Sequence, residues 1–264
     1  MEQAGPDPEQ ANAARMYDYL LGGRQNFAVD RALADEAIRS SPGMVAAVWA
    51  FRAFLRRTVR HCVAAGIDQF LDLGSGVPTV GNVHEIVLRD APHARVAYVD
   101  HEPVAVAHAR DLLGAEHRVS VTHADLRDVA GVLSAPTVRD LLDFDRPVAV
   151  LMLAVLHFLP DADDPASVVA AYRRHLQPGS AMVLSHGSDD VDDPELAERV
   201  RAGQRVYAQS THPTVLRSRA ELTSWFADLE LVEPGLVDVA RWRPDLTGEQ
   251  PESIGAYGGL GLVR

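Results

Sequence analysis

Lysine is absent from the 264 residues; all 25 basic side chains are arginine, against 37 Asp and Glu, for a net charge of −12. Binding nucleic acid through its phosphates needs clustered cations, so this balance argues against a DNA or RNA partner. The densest basic stretch, RAFLRRTVR from Arg52 to Arg60, has Phe51, Leu55, Val59 and Cys62 at helical spacing beside it, and reads as a solvated helix face. No apolar run approaches the roughly 20 residues that span a bilayer, so no membrane partner is expected. The opening MEQAGPDPEQ lacks the basic residues and apolar core of a secretory signal. Cys62 is the single cysteine and falls on an apolar helical stripe, as a core residue would. These features point to the cytoplasm. Among the histidines, His84, His93, His101 and His108 have no third ligand arranged with them, and no metal site is expected.

What is present is the composition of an ordinary globular protein, 47% hydrophobic and 23% charged, at a length that suits one large α/β unit. Residues 1–10 are polar and proline-containing and read as a disordered lead-in. Residues 11–66 carry three helical patterns, the first ending at Gly22-Gly23, the second running from near Val29 to Pro42-Gly43, the third from Met44 to Ala65. From residue 67 strands and helices alternate: strands at 69–73, 95–99, 118–122, 147–153 and 180–185, with helices at 81–90, 103–113 and 165–176 between them. That order implies a doubly wound, mostly parallel sheet with right-handed crossovers. PVAVLML, 147–153, is the most continuously apolar run and so the central strand. An irregular insertion at 187–217 with a helix near 194–208 precedes a capping box at Ser218 and Glu221, a helix at 219–228, and strands at 229–233 and 255–264. The last two, without a long helix between them, suggest an antiparallel hairpin on the edge of a seven-stranded sheet.

The chemistry concentrates in QFLDLGSGVPTVGN, Gln69 to Asn82, where a buried strand meets a helix through glycines. The unpaired first amides of a helix favour an anionic ligand there. Two features separate the turn from a dinucleotide fingerprint: Asp72 lies in the strand end, and Thr79 stands where the third glycine should be. A pyrophosphate would be repelled by Asp72, whereas the ammonium of an amino acid would be attracted. Open α/β sheets bind ligands at the carboxyl ends of their strands. Asp100 follows the second strand and Asp125 the third, and a carboxylate at Asp100 can accept from both ribose hydroxyls. Each acid alone also suits a turn or helix cap; three at successive strand ends favour a nucleoside. His157 and His186 lie past strand ends on the same side and are the candidates for proton transfer, although AVLHFL is also a plausible turn. The acids Asp189, Asp190, Asp192 and Asp193 read as a solvated loop, with a cationic substrate as the alternative.

The order LDLGSG, YVDHEP, THADLRD and LMLAVLHFLPD resembles the class I S-adenosylmethionine-dependent methyltransferases, which have a Rossmann-like fold. More narrowly, MYDYLLGGRQNFAVDRA with QFLDLGSGVPTVGNVHE, AVLHFLPD and WRPD resembles the actinobacterial S-adenosyl methyltransferase family formerly catalogued as a domain of unknown function. The resemblance covers nearly the whole chain from Ala11. It implies a helical N-terminal cap on a Rossmann-like domain, S-adenosyl-L-methionine as cofactor, and a small-molecule methyl acceptor. It also implies roles for particular residues. Gly74, Ser75 and Gly76 would meet the methionine part with Asp72 near its ammonium, and Asp100 would hold the ribose. His101 would flank the adenine, Asp125 and Leu126 would read its edge, and Ala154 and Val155 would line the floor near the sulfonium. Tyr17, Gly23, Asn26 and Phe27 would form a lid. The alternatives are a non-catalytic S-adenosylmethionine sensor and, disfavoured by Asp72 and Thr79, an NAD(P)-dependent oxidoreductase.

Overall fold

The computed structural model describes residues 9–79, 81–245 and 251–264; most of the expected lead-in at 1–10 lies outside them. Helix α1 (Ala13–Leu20) begins where the Asn12 side chain accepts from the Ala14 and Arg15 amides. Helix α2 (Ala28–Ser40) and the long α3 (Met44–Ala64) follow. The alternating unit is β1 (Gln69–Leu73), α4 (Val83–Asp90), β2 (Arg95–Asp100), α5 (Pro103–Leu113) and β3 (Val119–His123). It continues through α6 (Val129–Ser134), α7 (Pro136–Arg139), β4 (Ala149–Leu153), α8 (Pro165–Arg173) and β5 (Ala181–Gly187). Helices α9 (Pro194–Tyr207) and α10 (Arg219–Ser224) lead to β6 (Leu229–Leu231), β7 (Val237–Asp238) and β8 (Ala256–Val263).

The sheet order is β3-β2-β1-β4-β5-β8-β6, with β7 alongside β8. Strands β1 to β5 are parallel; β8 runs antiparallel to β5 on one side and to β6 and β7 on the other. The expected terminal hairpin is therefore present, with its last strand inserted next to β5. The two-residue β7 makes eight strands instead of seven; two residues are too few to leave a periodic signal. Short helices α6 and α7 also carried no readable period. The fourth strand sits in the centre, and Ala149, Val150, Leu151 and Met152 are fully buried, as a strand covered on both faces must be.

One face of the sheet packs against α3, α4 and α5, through Phe54, Leu55, Val59, Val83, Val87 and Val106. The other packs against α6, α7, α8 and α10, through Val132, Val138, Val169, Tyr172 and Leu222. A third cluster joins α1, α2, the start of α3 and α9 through Met16, Leu20, Ala34, Ala37, Val48 and Val206. Helix α3 thus serves two cores. Both of those cores span residue 66: α1 and α2 cap the sheet's carboxyl end together with α9 from the insertion, while the second half of α3 belongs to the sheet.

Candidate functional site

Strand order reverses between β1 and β4, and there the carboxyl ends of the parallel strands open into a cavity of about 1130 Å³. Asp72, Gly74, Ser75 and Gly76 of the glycine turn line it, as do Asp100, His101, Asp125, Leu126, Ala154, Val155 and His157. Tyr17 reaches it from α1.

The glycine turn is shaped by its neighbours. Gly74 and Gly76 have φ of +73° and +66°, conformations that side chains with a Cβ disfavour. A Cβ on Gly74 would lie 2.2 Å from Val155 Cγ2, so the β1 turn can rest on the β4 turn only without one. At Gly76 a Cβ would meet nothing within 4 Å and would project into open space. The Gly76 amide donates to Asp100 Oδ2 at 2.7 Å, and the Glu102 amide donates to Oδ1 at 2.8 Å, fixing the Asp100 carboxylate in one orientation. Glu102 is held in turn by Arg15 Nη1 at 3.3 Å and Asn12 Nδ2 at 2.7 Å, so α1 supports the acid at the end of β2.

Asp72 differs from Asp100. It is 7% exposed, borders the cavity, and accepts no hydrogen bond from any described residue. Burial pushes its carboxyl up to about 7; the Arg52 charge pulls the other way and Asp100 adds to the rise. Asp125 is engaged by Arg127, whose Nε lies 2.9 and 3.0 Å from the two carboxylate oxygens and holds the carboxyl below the usual range. The next amide, Leu126 N–H, has no acceptor among the described residues, and its carbonyl takes the Tyr172 hydroxyl at 2.9 Å. His101 stacks edge-on to His212, with Nε2 to Nε2 at 2.9 Å. Ala154, at φ +51°, donates its amide to Ser185 Oγ at 2.9 Å.

Several expectations need correction. Gly23, Asn26 and Phe27 do not line the cavity. They surround two buried acids. The Asp18 carboxylate accepts from Asn26 Nδ2 and the Gln25 amide, both at 2.8 Å, and Asp30 Oδ2 takes the Phe27 amide at 2.7 Å. Asp18 also takes Thr79 Oγ1 at 2.8 Å, so this segment braces the glycine turn. His186 is off the cavity too, and its ring is spoken for: Nδ1 donates to Gly187 O at 2.7 Å and Nε2 accepts from Arg217 at 3.1 Å. With Nε2 accepting from a guanidinium and burial driving the ring down to about 4, His186 is a poor proton acceptor near neutral pH. His157, whose ring centroid is 5.6 Å from that of His186, borders the cavity, and its ring makes no hydrogen bond to the described residues. Burial, reinforced by His186 and Arg217, holds it well below the ordinary histidine range, so it is neutral. Within Arg52–Arg60, Arg56 and Arg60 are on the expected outer face, but Arg52 lines the cavity and Arg57 donates to Trp242 O and Val239 O at 2.6 Å. The acids at 189–193 do not line it.

The family model for S-adenosyl methyltransferases matches residues 2–264. The chain belongs to this family. A putative methyltransferase from Thermobifida fusca has 39% identity over 97% of this chain and 96% of its own, with a TM-score of 0.90. A DUF574 family protein from Streptomyces avermitilis has 38% identity over 98% and 99%, also at 0.90. An O-methyltransferase family protein from Burkholderia thailandensis, 16% identical over 85% of this chain and 61% of its own, shares the fold at a TM-score of 0.51. No curated protein matches the chain. The enzyme is an S-adenosylmethionine-dependent methyltransferase, and the donor set suits that cofactor. A buried, donor-free carboxylate faces a cationic group better than an anionic one, an oriented second carboxylate suits a diol, and a free amide beyond β3 suits a heterocycle edge. No helix among the described residues is long and apolar enough to cross a membrane, and none of their His, Cys, Asp and Glu clusters could hold a metal.

Proposed function

We propose that this methyltransferase acts on a small molecule taken into the same cavity as the cofactor, in the cytoplasm, where a buried unpaired thiol at Cys62 is stable. The observation that carries the site assignment is Asp72: a carboxylate that borders the cavity with no donor among the described residues. In this reading Asp72 takes the cofactor ammonium and Gly74 to Gly76 give close backbone approach. Asp100 accepts from the ribose hydroxyls, His101 flanks the adenine, and Asp125 with the Leu126 amide meets its edge. Ala154 and Val155 form the floor. Tyr17 closes the cavity from α1, and Gly23, Asn26 and Phe27 act only through Asp18 and Asp30.

When bound, S-adenosylmethionine supplies a methyl group on a sulfonium, which an acceptor displaces in line. The protein's contribution is alignment and exclusion of water. Acceptor space lies between α3 and α9, where Met44, Phe51, Leu196, Val200 and Tyr207 make apolar walls. Arg199 of α9 borders that space without an ion pair among the described residues, while Arg201 and Arg205 of the same helix pair outside with Asp189 and Glu198. His157 is the cavity group that can accept a hydrogen bond from a protonated nucleophile and take its proton. Burial keeps its ring neutral and free to accept that bond, and at the same time makes it a weak base.

Calorimetric titration with S-adenosylhomocysteine and, separately, NADH tests the reading. Wild-type protein should bind the first and not the second, and Asp100→Ala should weaken the first at least tenfold, roughly 1.4 kcal/mol. Folded protein that binds neither ligand would overturn the site assignment. Binding without methyl transfer to any acceptor offered would favour the sensor reading.

A further inference from the structure

Three arginines of the described residues line the cavity, and each has different company. Arg127 pairs with Asp125 and Asp163. Arg52, on α3, has its guanidinium carbon 5.4 Å from the Tyr17 ring centroid, and its charge is felt at Asp72. Arg199, half-buried on α9, has no ion pair, hydrogen bond or ring contact among the described residues. Carboxylates are plentiful on the outer side of the same helix, where Arg201 lies 3.0 Å from Asp189 and Arg205 lies 2.8 Å from Glu198. A guanidinium that gives up water to an apolar space without gaining an acceptor is costly, and an anionic ligand offsets that cost.

Leu196, Arg199, Val200, Gly203, Gln204 and Tyr207 recur at helical spacing, so one face of α9 fronts the cavity. Gly203 lets that face close on α3, since a Cβ there would lie 2.9 Å from Met44 Cε. At one end of the face, Tyr207 is near enough to Tyr17 to be influenced by it, and Tyr17 carries Arg52 over its ring; this end therefore belongs with Asp72. Arg199 lies about two turns earlier, and so about 12 Å away along the helix axis. It adjoins Val200, which packs on the loop before β8, where a Cβ on Gly255 would lie 2.3 Å from Val200 Cγ2. Arg199 thus stands at the end of the face remote from Asp72.

The protein's own acids leave Arg199 unmatched. Glu102 is held by Arg15, Asp125 and Asp163 by Arg127, and Asp100 by two amides. Glu252, on the loop before β8, borders the cavity but is exposed and makes no ion pair among the described residues. At about 1130 Å³ the cavity also exceeds the roughly 300–1,000 Å³ typical of pockets for one small ligand, so a second molecule has room beside the cofactor.

We propose that the methyl acceptor is an elongated apolar monoanion whose carboxylate is held by Arg199, with its nucleophile at the other end, toward the cofactor. A guanidinium suits a carboxylate because its parallel N–H groups match the two oxygens. The proposal rests on the methyl-transfer reading above and adds the substrate class. Arg199 is a specificity-determining residue in it and does not touch the reacting atoms.

The test titrates S-adenosylhomocysteine-saturated protein calorimetrically with three probes that share one apolar body: 3-(4-hydroxyphenyl)propionate, its primary amide, and 3-(4-hydroxyphenyl)propylamine. Wild type should bind the carboxylate at least tenfold more tightly than the amide or the amine. Arg199→Met should bring carboxylate and amide within about twofold of each other, and Arg199→Lys should keep part of the preference. Arg199→Gln gives the same comparison if Arg199→Met does not fold. Wild type that binds carboxylate and amide equally, prefers the amine, or binds none of the three overturns the proposal. A carboxylate preference that survives loss of the Arg199 charge overturns it as well. Each of these outcomes leaves the cofactor site standing, whereas folded wild type that fails to bind S-adenosylhomocysteine removes the cofactor reading itself.

Discussion

Asp72 is buried for a reason that acts against folding. A carboxyl raised to about 7 in the native state, against 3.8 in the unfolded chain, binds its proton more tightly when folded. Native stability therefore falls as pH rises from about 4 to about 7, by as much as about 4 kcal/mol at roughly 1.4 kcal/mol per unit. Asp72→Asn should raise the melting temperature of the ligand-free protein at pH 8, with no gain at pH 4, and should weaken S-adenosylhomocysteine binding. A melting curve that drops at pH 8 would show that the carboxylate has a structural partner after all. Gly74 tests the turn itself. Gly74→Ala adds a methyl 2.2 Å from Val155 Cγ2 at φ +73°, and should cost about 2–4 kcal/mol. Adding Val155→Ala should recover only the steric part, because the backbone conformation stays unfavourable; full recovery in thermal melts would exclude a backbone contribution.

At the scale of elements, the turn after β4 depends on a residue sixty positions further along. Arg217 is 3% exposed and its guanidinium donates to Leu159 O at 2.9 Å, Leu156 O at 3.3 Å and His186 Nε2 at 3.1 Å, and reaches Asp161 at 2.6 Å. It gathers the segment that carries His157 against β5. Arg217→Met should destabilise by about 3 kcal/mol, since it leaves those carbonyls unpaired. It should also raise the titration midpoints of His157 and His186 only in part, because burial remains the larger cause for both. Histidine titration by NMR reads this directly, and midpoints that stay put would mean that the guanidinium has little influence on either ring. Helix α9 offers the complementary case. Arg199→Met should leave S-adenosylhomocysteine affinity within about twofold, because the helix faces the acceptor space; a tenfold loss would place Arg199 on the cofactor.

For the whole molecule, the pH response follows from opposed groups. His157 and His186 are held neutral, the latter down to about 4, while unfolded histidine titrates near 6.5. The unfolded chain gains those protons first on acidification, so stability is lost as pH falls from about 6.5 toward 4. Asp72 opposes this over the same interval. Removing it with Asp72→Asn should therefore make the fall in melting temperature between pH 6.5 and 4.5 steeper than in wild type. An unchanged slope would mean that the two effects do not share that window.

Much of the architecture was legible in residue order because parallel α/β units write themselves locally: apolar runs for buried strands, Pro103 at a helix start, Gly74 and Gly76 where the chain must turn under a ligand. The site acids were legible for the same reason, since Asp72, Asp100 and Asp125 stand at strand ends and strand ends share one edge of the sheet. Gly23, Asn26 and Phe27 misled because proximity to a ligand is not a local property; they close around Asp18 and Asp30, acids that look solvent-facing in a helical pattern. His186 misled because its position gives the side of the sheet but not the Arg217 that occupies its nitrogen. Arg52 read as one more surface cation among its neighbours. Local periodicity determined the elements, their order and the acids at their ends. Only the tertiary structure decided which charges are paired, because a partner 30 or 60 residues away is set by packing between elements and leaves no mark on the spacing around either residue.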